Sequence, residues 1–134
     1  LDLASLQARY DFLSKARSPN GSELWLNWVL FFSGSNDPIG VIQATILPDG
    51  SATIGYEIFP EYWRQGIGTE SVREMNQILL REMGVSVIAG EMDVRNAGSV
   101  ALARAVGMSH VALLKGSEVV KGELIDEYRY EIRS

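Results

Sequence analysis

Two glycines, Gly66 and Gly68, form a turn that follows a strand-like segment and precedes a helix-like one. A helix N-terminus presents unpaired N–H groups and a partial positive charge, and glycine lets the backbone approach an anion because it has no Cβ. Arg64 adds positive charge to the same turn, and the hydroxyl of Thr69 offers a further donor. The turn is therefore a candidate phosphate site.

The spacing of the turn excludes two common nucleotide-binding motifs. A P-loop needs Gly-Lys-Ser/Thr after the glycines, whereas Gly68 is followed by Thr69 and Glu70. A dinucleotide fingerprint needs a glycine three residues after Gly68, where Ser71 stands. A plain strand-to-helix loop remains the alternative for an isolated pair of glycines.

Three side chains are candidates to accept a proton. Glu91 is the first, because it lies in an apolar segment where a carboxylate is unusual, although a salt-bridged carboxylate would explain it equally. Glu57 is the second, since it lies near the end of the strand before the turn, and its alternative is an outward-facing position. His110, the single histidine, is the third, but a structural or exposed role fits its place beside a strand start.

Hydrophobic spacing and turn residues predict the elements that position these groups. A meander of antiparallel strands is expected before the glycine turn, and a Lys121-Gly122 turn is expected after a strand extended by Val119 and Val120. The order predicts an α+β (mixed α/β) fold with a mixed, mostly antiparallel sheet flanked by helices. The predicted elements are a helix over residues 2–17, strands over 24–32, 39–47 and 51–59, a helix over 69–83, a strand over 85–94, a helix over 97–106, and strands over 108–114 and 127–132.

Length and composition predict a single domain over residues 1–134, since 134 residues with 46% hydrophobic content can build one sizeable core. The net charge of −5 disfavours nucleic acid as a partner. The absence of cysteine excludes disulfides, thiolate metal sites and cysteine nucleophiles. We expect a cytoplasmic protein that has no membrane partner and that extends beyond Leu1, where no initiator methionine stands.

Two sequence motifs resemble those of the GNAT acetyltransferase superfamily. Residues 54–71, IGYEIFPEYWRQGIGTES, are similar to its motif A, and residues 96–108, NAGSVALARAVGM, are similar to its motif B. Within the superfamily the aromatic-Trp pair before the glycines is most similar to the ribosomal-protein-alanine N-terminal acetyltransferase branch. Two positions depart from the pattern: Trp63 stands where Gln or Arg is general, and Ala103 stands where many relatives have a tyrosine acid.

The resemblance implies a GNAT-like acyl-CoA N-acyltransferase fold that here lacks the usual first strand, with acetyl-CoA as co-substrate and no metal. It implies that Asn96 and Ser99 contact the pantetheine arm from a gap between the strands over residues 54–59 and 85–94. Glu91 or Glu57 would be the base. Ser99 or a water would replace the missing tyrosine acid, or the thiolate would leave without help. The remaining implied contacts are backbone pairing of pantetheine with Ile58, Phe59 and Pro60, and pyrophosphate binding by Arg64, Gln65, Gly66, Ile67, Gly68 and Thr69.

The function implied is direct transfer of the acetyl group to a primary amine of a protein N-terminus, a polyamine or a small molecule. The alternatives are a non-catalytic acyl-CoA-binding regulatory domain and a structural interaction domain. Trp25, Trp28 and Trp63 are candidates for an acceptor pocket, although strand tryptophans are more often core. A missing first strand would leave a sheet edge unpaired, so a homodimer partner or a loop is expected to cover it.

Overall fold

A computed structural model describes residues 8–17, 19–32, 34–63 and 65–134, with only the backbone described over 8–17. Within these residues the chain forms one mixed sheet with two α-helices and a short 3-10 helix, Pro60–Tyr62. The elements are β1 (Ala8–Arg17), β2 (Leu24–Phe32), β3 (Pro38–Ile46), β4 (Ala52–Ile58), α1 (Ile67–Arg81), β5 (Val87–Asp93), α2 (Ala97–Ala105), β6 (Ser109–Val120) and β7 (Glu123–Arg133). The seven strands lie in the order β1-β2-β3-β4-β5-β7-β6, which confirms the α+β class and the mixed sheet.

The meander predicted before the glycine turn is confirmed. β2 pairs with β3 and β3 pairs with β4, both antiparallel. The turn between β3 and β4 forms because Gly50 takes a φ of 86° and the Asp49 carboxylate accepts the backbone N–H of Ser51 at 2.9 Å. The Ser51 hydroxyl donates to the same carboxylate at 2.6 Å, and this bond, followed by the backbone hydrogen bond, lowers the pKa of Asp49.

The helix predicted over residues 2–17 is wrong over Ala8–Arg17, which is a strand paired antiparallel with β2. Residues 1–7 lie outside the described part of the chain. The segment carries Ala8, Tyr10 and Phe12 at every second residue, a strand pattern that overlaps the helical spacing. Backbone pairing with β2 decides between the two patterns. The expected lack of a first strand is therefore also wrong, and the β2 edge that a dimer partner or a loop was expected to cover is covered by β1.

α1 connects β4 to β5 as a crossover, because these two strands are parallel. The helix begins two residues before the predicted start and ends two residues before the predicted end. Gly84 follows it with a φ of 68°, as expected for a glycine that ends a helix. One face of α1 is buried against the sheet, and its buried residues are Ile67, Ser71, Val72, Met75, Asn76 and Leu79.

The hydrophobic core lies on one face of the sheet. Most core residues of a strand lie an even number of positions apart, as Ile42 and Ala44 do on β3 and Ile88 and Met92 on β5, and both α-helices contribute to the same cluster. The C-terminal hairpin turns at Lys121 and Gly122, which have φ values of 53° and 78° and confirm the predicted turn. Neither helix of the described chain has the length and hydrophobicity needed to cross a bilayer.

Candidate functional site

The central strands β4 and β5 diverge along their length. They pair only at Ala52 with Ile88 and at Thr53 with Ala89. Beyond these pairs, β5 continues to pair with β7, and β4 continues to pair with β3. A wedge therefore opens between the C-terminal ends of β4 and β5, where the family resemblance implied a gap.

The N-terminus of α1 lies beside this wedge. Gly66 precedes the helix with a left-handed backbone, φ 76° and ψ 4°, which favours glycine. The first intrahelical bond is donated by Glu70 to the Gly66 carbonyl, so the N–H groups of Ile67, Gly68 and Thr69 have no acceptor within the helix. Since glycine also offers no side-chain cap, these donors are available to an anion.

A cleft of about 710 Å³ joins the wedge to this helix end. Its volume falls within the range of small-molecule sites. The structure brings together most of the predicted residues here, with several that the sequence did not single out. The lining residues are Tyr56, Glu57, Ile58, Tyr62, Trp63, Gly66, Ile67, Gly68, Thr69, Asn96, Gly98, Ser99, Ala101, Leu102 and Ala105.

At the end of β4, Ile58 is the residue whose backbone N–H and carbonyl face the wedge. The Phe59 N–H donates to the Ile39 carbonyl of β3 at 3.0 Å. In a trans peptide the carbonyl points opposite to the N–H, so the Ile58 carbonyl faces away from β3, into the wedge. The Glu57 carbonyl oxygen faces β3, because it lies 2.5 Å from where a Cβ on Gly40 would stand, and the Ile58 N–H accordingly faces the wedge as well.

Some residues predicted to bind the donor through the strand end or the turn are not among the lining residues of the cleft. Phe59 uses its N–H in the sheet, and Pro60, which has none, begins the short 3-10 helix. Neither residue lines the cleft, and neither does Gln65, whose side-chain oxygen is buried with no hydrogen-bond partner among the described residues. Arg64 lies outside the described residues.

The loop from β5 to α2 supplies the second wall. The Asn96 side-chain oxygen accepts the Ser99 N–H at 3.0 Å and caps α2, as an N-cap asparagine does. The preceding turn is held by Arg95, whose guanidinium donates to both carboxylate oxygens of Asp93 and lowers the pKa of that group. Asn96 and Ser99 are thus fixed at the mouth of the wedge.

Tyr56 crosses the wedge, and the sequence reasoning did not assign it a role. Its hydroxyl donates to the Ser99 backbone carbonyl at 3.1 Å. Burial raises the pKa of the phenol, and the hydrogen bond lowers it by a smaller amount. The signal that could have identified it is alternation: Tyr56 and Ile58 are two residues apart on β4 and lie on the same face.

Of the two residues that carry the candidate carboxylates, only Glu57 is among the lining residues of the cleft. Glu91 faces Arg129 on β7, and their side chains form an ion pair of 3.7 Å. Arg129 also donates to Glu131 at 2.9 Å. The parallel pairing of Thr53 with Ala89 places Glu57 and Glu91 on the same face of the sheet, on opposite sides of the wedge.

The remaining candidates lie away from the cleft or in the core. Ala103 is 1% exposed and belongs to the core, so the cleft receives no acid from that helix position. The His110 ring packs edge-on against Tyr128 and Tyr130, with ring centroids 5.2 and 5.5 Å apart. Trp63 is the only tryptophan among the lining residues of the described cleft.

Trp63 is also bonded to the open edge of β4. Its indole N–H donates to the Ile58 carbonyl at 2.6 Å, although 60% of the residue is exposed. Gly68 packs on the same wall, because a Cβ there would stand 2.7 Å from Leu102 Cδ1 and 3.4 Å from Ile58 Cγ1. The sequence predicted neither contact.

Comparisons with known proteins agree with this geometry. An uncharacterized N-acetyltransferase, p20, of Bacillus licheniformis is 26% identical over 84 residues, which are 63% of this chain and 47% of that protein. RimL, a ribosomal L7/L12 α-N-protein acetyltransferase solved with coenzyme A, matches with a TM-score of 0.77 and 23% identity over 85% of this chain and 63% of its own. The ribosomal-protein-S5-alanine acetyltransferase of Vibrio fischeri has a TM-score of 0.77 and 19% identity over 81% of this chain and 61% of its own.

The chain spans about half of the p20 sequence and less than two thirds of the two solved structures. Ribosomal-protein acetyltransferases and a spermidine N-acetyltransferase stand among the structural neighbours. Residues 2–109 match the family model of the acetyltransferase (GNAT) domain. The chain therefore belongs to the GNAT acetyltransferase family.

Proposed function

We propose that the protein is an acetyl-CoA-dependent N-acetyltransferase that moves the acetyl group directly to a primary amine. The observation that carries this proposal is the continuity of the wedge with the N-terminus of α1. One end of the cleft offers N–H groups suited to an anion, and the other offers an open strand edge. A donor that carries a pyrophosphate and an amide-containing arm fits both ends.

The residues of the cleft fit such a donor. The N–H groups of Ile67, Gly68 and Thr69 would bind the pyrophosphate, and the Thr69 hydroxyl would add a donor. The Ile58 carbonyl would pair with the pantetheine arm, and Asn96 and Ser99 would contact it from the opposite wall. Arg64 and Gln65 are proposed to support the pyrophosphate from the turn.

For the chemistry, each step is assigned to a group near the wedge. The Ile58 N–H would polarise the thioester carbonyl, since the Phe59 N–H is engaged by β3. Glu57 would take the proton from the amine directly or through water, because it lines the cleft. Glu91 is the second candidate base and would need to exchange its ion pair with Arg129. The Ser99 hydroxyl or a water would protonate the leaving thiolate.

We propose a primary amine acceptor, from a protein N-terminus, a polyamine or a small molecule. Glu57 and Glu91 flank the wedge on the face opposite to the helices, and the chain carries a net charge of −5. Carboxylates on this face would attract an ammonium group to the side from which an acceptor can reach the thioester. An acceptor panel of an N-terminal peptide, spermidine and a small primary amine separates these classes by their release of free thiol.

Calorimetric titration with acetyl-CoA tests the donor site. Thr69→Glu adds a negative charge beside the expected pyrophosphate, and Gln77→Glu adds the same charge at an exposed position further along α1. We expect binding by the native chain and by Gln77→Glu, and a loss of at least tenfold in affinity in Thr69→Glu, the effect of about 1.4 kcal/mol. Equal affinity in all three would contradict the site.

A non-catalytic acyl-CoA-binding regulator is the second candidate. It is favoured by Ala103, which has no acidic group where many relatives have a tyrosine, and by the ion pair that engages Glu91. Donor binding without thiol release across the acceptor panel would support the regulator. Thiol release that depends on an acceptor amine would exclude it.

A further inference from the structure

The open edge of β4 is closed by a residue of the same chain. Where pairing with β5 has ended, the Ile58 carbonyl points into the wedge and accepts the Trp63 indole N–H at 2.6 Å. The two residues are five positions apart, joined through the short 3-10 helix Pro60–Tyr62. The indole thus satisfies a carbonyl that a continuous sheet would have paired with a neighbouring strand.

The same carbonyl is the acceptor that the cleft offers to a ligand lying along β4. An extended arm that adds to a strand edge pairs its amide N–H with a strand carbonyl, and pantetheine carries secondary amides. On this edge the Ile58 N–H and carbonyl are the groups that face the wedge, because the Phe59 N–H bonds to Ile39. A donor amide and the Trp63 indole therefore compete for one position.

We propose that Trp63 is a displaceable cap of the donor site. Its indole occupies the pantetheine position on Ile58 in the free protein, and the donor displaces it on binding. This inference rests on the proposed function. Trp63 is suited to the exchange because 60% of it is exposed, so the ring can swing into solvent without opening the core. Because the indole hydrogen bond must break before the donor binds, the native chain loses donor affinity equivalent to the net free energy of one hydrogen bond.

Trp63→Phe tests the cap, because it keeps an aromatic ring and removes the N–H. We expect it to bind acetyl-CoA roughly two- to tenfold more tightly than the native chain, the range that one net hydrogen bond gives. Trp25→Phe is the matched control: Trp25 is 38% exposed and its indole N–H donates to Glu23 at 3.0 Å, on β2 outside the cleft. Its affinity should equal that of the native chain.

Two further measurements place the effect at the pantetheine position. ADP keeps the pyrophosphate and lacks the arm, so Trp63→Phe should gain no affinity for it. Tryptophan emission should change on acetyl-CoA addition in Trp25→Phe and lose that change in Trp63→Phe. Circular dichroism checks that both variants are folded.

The outcomes separate the two proposals. Binding of acetyl-CoA with equal or weaker affinity in Trp63→Phe, or an equal gain for ADP, overturns the cap and leaves the proposed function standing. If Trp63→Phe binds acetyl-CoA and neither the native chain nor Trp25→Phe does, the cap is supported, because removal of the indole N–H then makes binding detectable. Absence of acetyl-CoA binding in the native chain and in both variants overturns the proposed function, and the cap with it.

Discussion

The Tyr56 hydroxyl donates to the Ser99 backbone carbonyl at 3.1 Å, across 43 positions of sequence. The bond joins β4 to α2 on either side of the wedge, at a place where β4 and β5 no longer pair. It therefore holds the two walls of the cleft at a fixed separation, and it orients the backbone of the candidate acid Ser99.

Tyr56→Phe removes this bond without changing the ring. We expect a stability loss of about 1 kcal/mol and a weaker affinity for acetyl-CoA, because the walls of the cleft lose their link. Chemical denaturation and calorimetry measure the two effects. Tyr130→Phe is the control, since its hydroxyl accepts from Arg104 at 3.1 Å away from the cleft. An equal change of donor affinity in both variants would contradict a specific role for Tyr56.

The raised pKa of Tyr56 predicts a loss of stability in alkali. Below the ordinary tyrosine pKa of 10.0 the phenol is neutral in both folded and unfolded chains, so it adds no pH dependence. Above that value the unfolded chain ionises first, because burial raises the pKa in the folded chain, and the free energy of unfolding falls. Urea denaturation between about pH 8 and 11 should show a steeper decline in the native chain than in Tyr56→Phe. Identical slopes would show that the phenol titrates normally.

The buried side-chain amide of Asn76 is a site where an apolar substitution should stabilise the protein. It is 4% exposed on α1, and neither side-chain amide atom has a hydrogen-bond partner among the described residues. Asn76→Leu removes the unsatisfied amide and adds apolar contact, so the free energy of unfolding should rise by about 1–3 kcal/mol. Gln77→Leu, at the adjacent exposed position, should change it by less than about 0.5 kcal/mol. A fall in the midpoint of Asn76→Leu would show that the amide has a partner after all.

Substitution of the two candidate bases is expected to lower kcat by different amounts. Glu57→Gln should lower kcat by roughly 100-fold or more, because a base beside the wedge acts in the transition state. Glu91→Gln should have a smaller effect, since its carboxylate is paired with Arg129. Thiol release under saturating acetyl-CoA measures both, with the exposed Glu61→Gln as a control for charge. The reverse ranking would assign the base to Glu91, as the sequence first suggested.

How far the sequence predicts the structure depends on whether a feature is local. Gly66 was recognised because a glycine turn before a helix is a local pattern, and Asn96 was recognised through its resemblance to motif B. The structure shows a positive φ at Gly66 and an N-cap at Asn96, and both are local demands of the backbone. The ion pair of Glu91 with Arg129 was left open, because register across β5 and β7 joins residues 38 positions apart. β1 was misread because its side chains fit two periodicities, and only its partner strand decides between them.

Trp63 shows another limit of sequence reasoning. The residue was noted as a departure from the superfamily pattern and as a candidate for an acceptor pocket. Its contact with Ile58 depends on how the short 3-10 helix turns the chain back, which the residue types alone do not specify. The departure therefore marks a place where this chain supplies its own hydrogen bond to the strand edge.

The divergence of β4 from β5 also gives neighbouring amides opposite exchange behaviour. The Phe59 N–H is bonded to Ile39 and should exchange slowly with deuterated solvent, whereas the Ile58 N–H faces the wedge and should exchange quickly. An arm lying along β4 would slow only the second of these two amides. The strand thus contains a reporter of cleft occupancy and, one residue further on, its internal reference.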